Sequence, residues 1–301
     1  MTKISFISDC NPFAGEGSGA ELSEKAVIEE GIRKGYDISL CLPNTPAMNE
    51  VHKADLVIIG NASRFPKRYL AKISEITEYV MFLHDQWPHC LYRAFYPDLQ
   101  KCKTTCPYLP FSKKLLLNSA LNIFLSPLHY RVYQRGIPEL KSIEHYLHVP
   151  TVRMKPVDGV QRIPNSVVGI NVLWTFKGVE NVLAYASGHP ELTFTFYGGT
   201  DSPKILNTLP KNCVAMGRIP QEEMPGIYSQ AQSFIHLPSH VMAAERTVIE
   251  AKLCGVPKLI LNKLVGVTSY KQFRKLDRDE FAKWVGESHK RFWKKIEKEV
   301  M

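Results

Sequence analysis

The sequence predicts an α/β protein made of two doubly wound, parallel-sheet domains in tandem, facing a cleft. Short β-branched runs alternate with helical stretches, a pattern that a parallel sheet covered on both faces requires. The alternation stops at an irregular, Pro-containing stretch, Val149–Pro164, and then restarts. At roughly 100–200 residues per domain, the 301 residues allow two domains that each bury a core.

In the first half, Lys3–Ile7 reads as a strand, followed by a Gly-rich turn over Gly15–Gly19 and a helix from Ala20 to Lys34. Asp37–Leu42, Asp55–Gly60, Tyr79–Leu83 and Leu121–Leu125 are further strands, each ending in turn or polar residues. After the break come a strand at Val167–Leu173, a helix at Gly178–Ser187 and a strand at Leu192–Tyr197. A strand near Cys213, a helix at Gln221–Gln230 and a strand at Ser233–Leu237 follow. The helix from Arg246 to Cys254 stops at Gly255-Val256-Pro257, since Gly caps a helix and Pro cannot continue it. Lys258–Leu261 is the next strand. The domains expected are 1–150, 151–276, and a C-terminal basic helix, 277–301. That helix can start on Asp277 with Glu280 three residues on, a variant capping box, and Phe281, Val285, Phe292 and Ile296 form its apolar stripe.

Composition narrows the function. No apolar run is long enough for a transmembrane helix, and the N-terminus lacks a signal-peptide stretch, so the expectation is a cytoplasmic protein. The seven cysteines are scattered, several inside apolar runs, which reads as reduced thiols. The formal charge of +9 is uneven: residues 258–301 hold 12 Lys and Arg against 6 Asp and Glu, a surplus of six. A basic end suggests an anionic partner, although a solvated helix face carries such charge equally well. Cys90, Cys102 and Cys106, with His89, lack the ligand spacing of a zinc knuckle, so no metal site is expected. No Walker loop, Ser/His/Asp triad or His-Glu-x-x-His helix is present.

The most informative segment runs Pro238-Ser239-His240-Val241-Met242-Ala243-Ala244-Glu245-Arg246-Thr247-Val248-Ile249-Glu250-Ala251-Lys252-Leu253-Cys254-Gly255-Val256-Pro257. It resembles the nucleotide-sugar-dependent retaining glycosyltransferases of the GT-B fold, family four (glycosyltransferase group 1 type). The resemblance implies two Rossmann-like domains, with a C-terminal helix crossing back onto the first. The family's ribose-binding Glu maps onto Glu250, where one carboxylate accepts two charge-assisted hydrogen bonds from vicinal hydroxyls. The positive helix N-terminus before it, with Arg246 and Thr247, suits a diphosphate. The family's other Glu, which holds sugar hydroxyls, falls on Met242, eight residues earlier; Glu245 is the nearest acid that can replace it. Taken alone, Glu250 reads as an ordinary exposed helix carboxylate.

Phe176-Lys177-Gly178-Val179 matches the family's Lys-Gly after a strand, so Lys177 is expected to neutralise the donor diphosphate. The family's upstream Arg is absent. Gly198-Gly199 matches the family's glycine turn, and Gly217-Arg218 matches the base-binding segment. At the N-terminus the loop holding Gly17 and Gly19 resembles the family's Gly-Gly-x-Glu loop, where backbone approaches the donor without a Cβ in the way. His84 and Asp85, directly after a strand, match the family's His-Asp, which implies catalytic contacts with the sugar or acceptor.

The resemblance implies transfer of a sugar from a nucleoside diphosphate sugar to an acceptor hydroxyl, with no cofactor required and no metal. The surplus of positive charge points to an anionic acceptor or surface, a membrane glycolipid ahead of a hydroxylated base in DNA. A sugar-nucleotide epimerase, or a non-catalytic nucleotide-sugar- or nucleic-acid-binding protein, remains as an alternative on the same architecture.

Overall fold

A computed structural model of the chain describes residues 1–14, 19–85, 87, 109–140, 143–145 and 154–301. The chain divides into two compact units, one of residues 1–149 with 286–301 and one of residues 150–285.

The first unit holds β1 (Lys3–Ile7), β2 (Asp37–Cys41), β3 (Leu56–Ile59), β4 (Tyr79–Leu83), β5 (Leu121–Phe124) and β6 (Ile143–His145). They form one parallel sheet in the order β2-β1-β3-β4-β5-β6. Every residue of β3, β4 and β5 is buried, which explains their unbroken apolar runs: both faces are covered. The helices are α1 (Gly19–Arg33), α2 (Lys67–Ile76), α3 (Leu109–Leu117) and α4 (Pro127–Gly136). Ser126 caps α4 by accepting from His129 N–H, and Pro127 takes the first helical position, where no N–H is needed.

The second unit holds β7 (Ile163–Ile170), α5 (Val179–Ser187), β8 (Thr193–Tyr197), β9 (Cys213–Gly217), α6 (Met224–Gln230), β10 (Ala231–His236), α7 (Arg246–Leu253), β11 (Lys258–Leu261), α8 (Lys271–Lys275) and α9 (Arg278–Gly286). Its parallel sheet runs β9-β8-β7-β10-β11. In each sheet the strand order reverses once, between β1 and β3 in the first and between β7 and β10 in the second. Connections leave to opposite faces at such a point, opening a crevice at the carboxyl ends of the strands where ligands of doubly wound sheets bind.

β7 differs from the expected Val167–Leu173 at both ends. It starts at Ile163, which pairs with Ala231, and so absorbs the end of the expected linker. It stops at Ile170 because Asn171 turns to φ +53, a left-handed conformation that a strand cannot hold.

The single C-terminal helix is corrected to two. α9 opens with the expected capping box: Glu280 N–H donates to Asp277 Oδ1 at 2.9 Å, and Asp277 N–H to Glu280 Oε2 at 3.4 Å. It ends at Gly286, and α10 (Ser288–Glu299) begins two residues later. The apolar stripe serves two cores as a result. Phe281 packs on Phe273 in the second unit, whereas Phe292, Trp293 and Ile296 join the core of the first. Trp293 Nε1 donates to the Val27 carbonyl at 2.8 Å, tying α10 to α1. Cys41, Cys213 and Cys254 are buried free thiols, as their apolar surroundings imply.

Candidate functional site

In the second unit the reversal point lies between β7 and β10, and Lys177, Glu245, Arg246, Thr247 and Glu250 of the expected donor residues lie there. After β7 the chain makes a single turn, Thr175–Lys177, and enters α5 through Gly178 at φ +80. A Cβ on Gly178 would lie 2.3 Å from the Leu237 carbonyl oxygen and 2.8 Å from Ser239 N. Only glycine lets the loop after β7 press against the loop after β10, and that approach carries Lys177 over Glu245.

Lys177 Nζ stands 3.2 Å from both oxygens of Glu245. Thr247 Oγ1 donates to Glu245 Oε1 at 2.9 Å, and His236 Nε2 lies 3.3 Å from Oε2. Burial opposes the charge on Glu245, but Lys177 and His236 outweigh it and hold the carboxyl well below the usual range. The residue sits at φ +73 and ψ +93, a conformation that costs a non-glycine residue free energy and that the surrounding contacts must enforce. Lys177 keeps 17% of its side chain exposed, so its ammonium remains open to an anion.

Glu250, one turn into α7, is 2% exposed. The reading of it as an exposed helix carboxylate is therefore wrong: this face of the helix is covered, and Tyr228 of α6 meets it. Arg246 Nε donates to its Oε1, and Tyr228 Oη donates to its Oε2 at 3.1 Å. Burial raises its pKa, with Arg246 and Tyr228 opposing. Each oxygen still holds a second lone pair, so acceptor capacity remains for a hydroxyl pair. Part of the charge on Arg246 is already committed to Glu250.

Gly198 adjoins the β7 exit, where Asn171 N–H donates to the Tyr197 carbonyl at 2.7 Å. The Arg218 guanidinium lies over Gly199, with Nε 3.7 Å from where a side chain would begin. Met242 takes no part through its side chain: its N–H and carbonyl pair with Leu264 and Gly266, fixing the loop that leads into Glu245.

In the first unit the reversal point gathers a different group. Glu24, fully buried on α1, accepts from Asn61 N–H at 2.9 Å on Oε1 and from Ser8 Oγ at 2.5 Å on Oε2. His84, the residue after β4, places Nε2 at 3.3 Å from Glu24 Oε1. Asp85 is bound up in its own turn: its Oδ1 accepts from Trp87 N–H at 2.7 Å, and its carbonyl accepts from Tyr133 Oη at 2.9 Å. Gly19 is the first residue of α1. Gly17 lies outside the described residues, as do His89, Cys90, Cys102 and Cys106. Among the described residues no group of three or more His, Cys, Asp or Glu could hold a metal ion.

Four residues escaped the sequence reading: Ser8, Glu24, Tyr228 and His236. Ser8 and His236 had a signal, a polar residue closing an apolar strand. Glu24 and Tyr228 had none, because a helical Glu or Tyr is an ordinary surface residue until the opposing elements are known.

No family model matches the chain. A curated relative, alpha-galactosylglucosyldiacylglycerol synthase of Streptococcus pneumoniae (strain ATCC BAA-255 / R6), is 28% identical over 137 residues, which cover 41% of this chain and 36% of that protein. The match thus spans about a third of the relative's length. Sucrose-phosphate synthase from Thermosynechococcus elongatus superposes with a TM-score of 0.70 at 14% identity, covering 99% of this chain and 95% of that one. Anabaena Alr3699/HepE in complex with UDP-glucose gives 0.64 at 16% identity, covering 98% and 92%. The fold is GT-B. Both doubly wound sheets belong to that match, since nearly the whole chain is covered.

Proposed function

We propose that this chain is a retaining glycosyltransferase that moves a sugar from a nucleoside diphosphate sugar to an acceptor hydroxyl. One observation carries the reading: at the strand-order reversal of the second sheet, two segments bring together a partly exposed lysine, a helix N-terminus and two buried carboxylates. Lys177 and the N-terminus of α7 neutralise the diphosphate as it leaves. Glu250 accepts from the ribose hydroxyls, and Glu245 lies beside the sugar. Gly198, Gly199 and Arg218 line the approach of the base. Residues 151–276 are then the donor domain and residues 1–150 the acceptor domain, with His84 and Asp85 the catalytic residues that the acceptor domain supplies.

Retention fits front-face attack, in which the leaving phosphate accepts the acceptor proton and the new bond forms as the old one breaks. The protein then contributes positioning and diphosphate stabilisation, with no carboxylate nucleophile. No cofactor or metal is called for, because the cationic groups above do that work.

The acceptor is an anionic glycolipid or a similar anionic surface at the cytoplasmic side of a membrane. The name of the pneumococcal relative supports a glycolipid, though not its charge; the bases of α8 described below, without an ion-pair partner among the described residues, support the anionic surface. No helix among the described residues is long and apolar enough to cross a membrane, so contact with lipid would be peripheral.

Incubation with a panel of nucleotide sugars tests the activity. Slow release of sugar and nucleoside diphosphate is the expected result. An epimerised donor would replace this reading with an epimerase, and binding without turnover would replace it with a non-catalytic binding protein. Sedimentation with anionic vesicles beside a gel shift on duplex DNA, at one ionic strength, tests the acceptor; a DNA shift without vesicle binding would overturn the glycolipid.

A further inference from the structure

The buried group at the reversal point of the first sheet contains a carboxylate to which the transfer chemistry gives no task. Glu24 leaves α1 to end between β1 and β3, entirely out of water. Two donors fix it: Asn61 N–H on one oxygen and Ser8 Oγ on the other. The site is also built to admit it. A Cβ on Gly60 would lie 2.2 Å from Glu24 Oε1, so the chain must be bare there for the carboxylate to reach its place.

Both donors come from residues just past strand ends, Ser8 after β1 and Asn61 after β3. The third neighbour, His84, follows β4. Its side chain is 3% exposed, and neither ring nitrogen makes a hydrogen bond among the described residues. Phe82 packs on the ring with centroids 4.2 Å apart, which holds its plane. Nε2 is 3.3 Å from Glu24 Oε1, while Nδ1 has no hydrogen-bond partner among the described residues. A buried polar nitrogen left so is costly, and such exceptions concentrate where a ligand completes the hydrogen bonding.

The tautomer follows from charge. A neutral imidazole has one N–H and one lone pair. Facing a carboxylate oxygen that already accepts from Asn61, a lone pair on Nε2 would be repelled, and an N–H attracted. We propose that Glu24 is a positioning residue for His84: it keeps the imidazole proton on Nε2 and so presents Nδ1 as the acceptor for a hydroxyl of the bound sugar or acceptor. The inference rests on the transferase reading for the identity of the hydroxyl, but not for the geometry. Glu24 itself touches no substrate.

The tautomer can be read directly, without any substrate. Long-range proton–nitrogen correlation spectra of the full chain, titrated to the neutral imidazole and assigned with His84→Gln, should show the proton on Nε2. A proton on Nδ1 would overturn the proposal, and this measurement needs no variant of Glu24. Glu24→Ala should then give a mixture of tautomers and lower turnover at least tenfold, with the donor KM changed less than threefold. Glu24→Gln keeps a neutral acceptor near Nε2 and should restore most of the single tautomer and most of the rate. A folded Glu24→Ala with wild-type tautomer or wild-type turnover would overturn it too. If the wild-type chain neither transfers nor hydrolyses any donor, the transferase reading fails, while the spectra still decide whether Glu24 sets the His84 tautomer.

Discussion

Glu24 in the first unit and Glu245 in the second are both buried carboxylates beside a strand-end histidine, each 3.3 Å from its Nε2. They differ in what compensates their charge. Glu24 is fixed by the Asn61 backbone N–H, which cannot leave without moving its loop, and by the short Ser8 hydroxyl. Glu245 is fixed by a lysine on a four-carbon stem that still touches water. A neutral, rigid environment suits a group that must hold another side chain still. An ammonium partner suits a group whose cation is wanted elsewhere, because an incoming phosphate can compete for Lys177. A second contrast lies within the second unit itself. Glu245 and Glu250 are five residues apart and both are buried, yet their pKa values move in opposite directions, because Lys177 and His236 prevail over burial at the first while burial prevails over Arg246 at the second.

The largest expected effect separates those two acids. Glu245→Gln should cost about 3 kcal/mol of stability at neutral pH, at the lower end for a broken buried pair because Lys177 can turn to water. Glu250→Gln should be neutral or stabilising. The pH dependence carries opposite signs. Glu245 has a depressed folded pKa, so its contribution is complete above the unfolded value of about 4.3 and is lost as pH falls through the folded value. Glu250 has a raised one, so its contribution is complete below about 4.3 and is lost as pH rises through the folded value. Urea unfolding of both variants at neutral and acid pH measures this. Equal penalties at neutral pH would erase the contrast.

Next in size, Lys177→Ala should lower turnover roughly 100- to 1,000-fold, the range for removing one donor to a developing oxyanion. Affinity for the free nucleoside should hardly change. Steady-state rates beside calorimetric titration with nucleoside and nucleoside diphosphate check this, and equal loss for both ligands would remove the phosphate role.

Smaller still, Glu250→Ala should weaken nucleoside diphosphate binding by about 1.5–3 kcal/mol, the weight of a hydrogen bond to a charged acceptor. Titration of a variant shown to be folded by its circular dichroism decides the matter, and wild-type affinity would take the ribose away from Glu250.

The smallest effect compares two basic helices. Lys271, Arg274 and Lys275 of α8 are exposed and have no ion-pair partner among the described residues, whereas Lys295 and Lys298 of α10 both lie beside Glu299. Reversing the α8 charges should weaken binding to anionic vesicles by about 1 kcal/mol per residue, and reversing Lys295 and Lys298 by less. Sedimentation at fixed ionic strength measures both. A larger loss from α10 would move the proposed surface to the first unit.

The sequence by itself determined the two parallel sheets, since an apolar run between turn residues has few other fates. The spans Lys3–Ile7, Tyr79–Leu83 and Lys258–Leu261 need no correction. Connectivity alone also groups Glu245, Arg246, Thr247 and Glu250, which stand at the head of one helix, whereas Lys177 is joined to them only through the family resemblance. Only the tertiary structure decided the rest. Ser8, Glu24, Asn61 and His84 meet because three strands that are distant in sequence end side by side. The last stretch of apolar spacing continues through Gly286, but the break there divides Phe281 from Phe292 between two cores. Whether Glu250 faces water or the protein interior depends on which side of α7 packs, and Tyr228 of α6, twenty-two residues away, is what meets it. Periodicity fixes which residues of one element share a face; which faces meet, and therefore which buried charges find a partner, is set by the order of the strands.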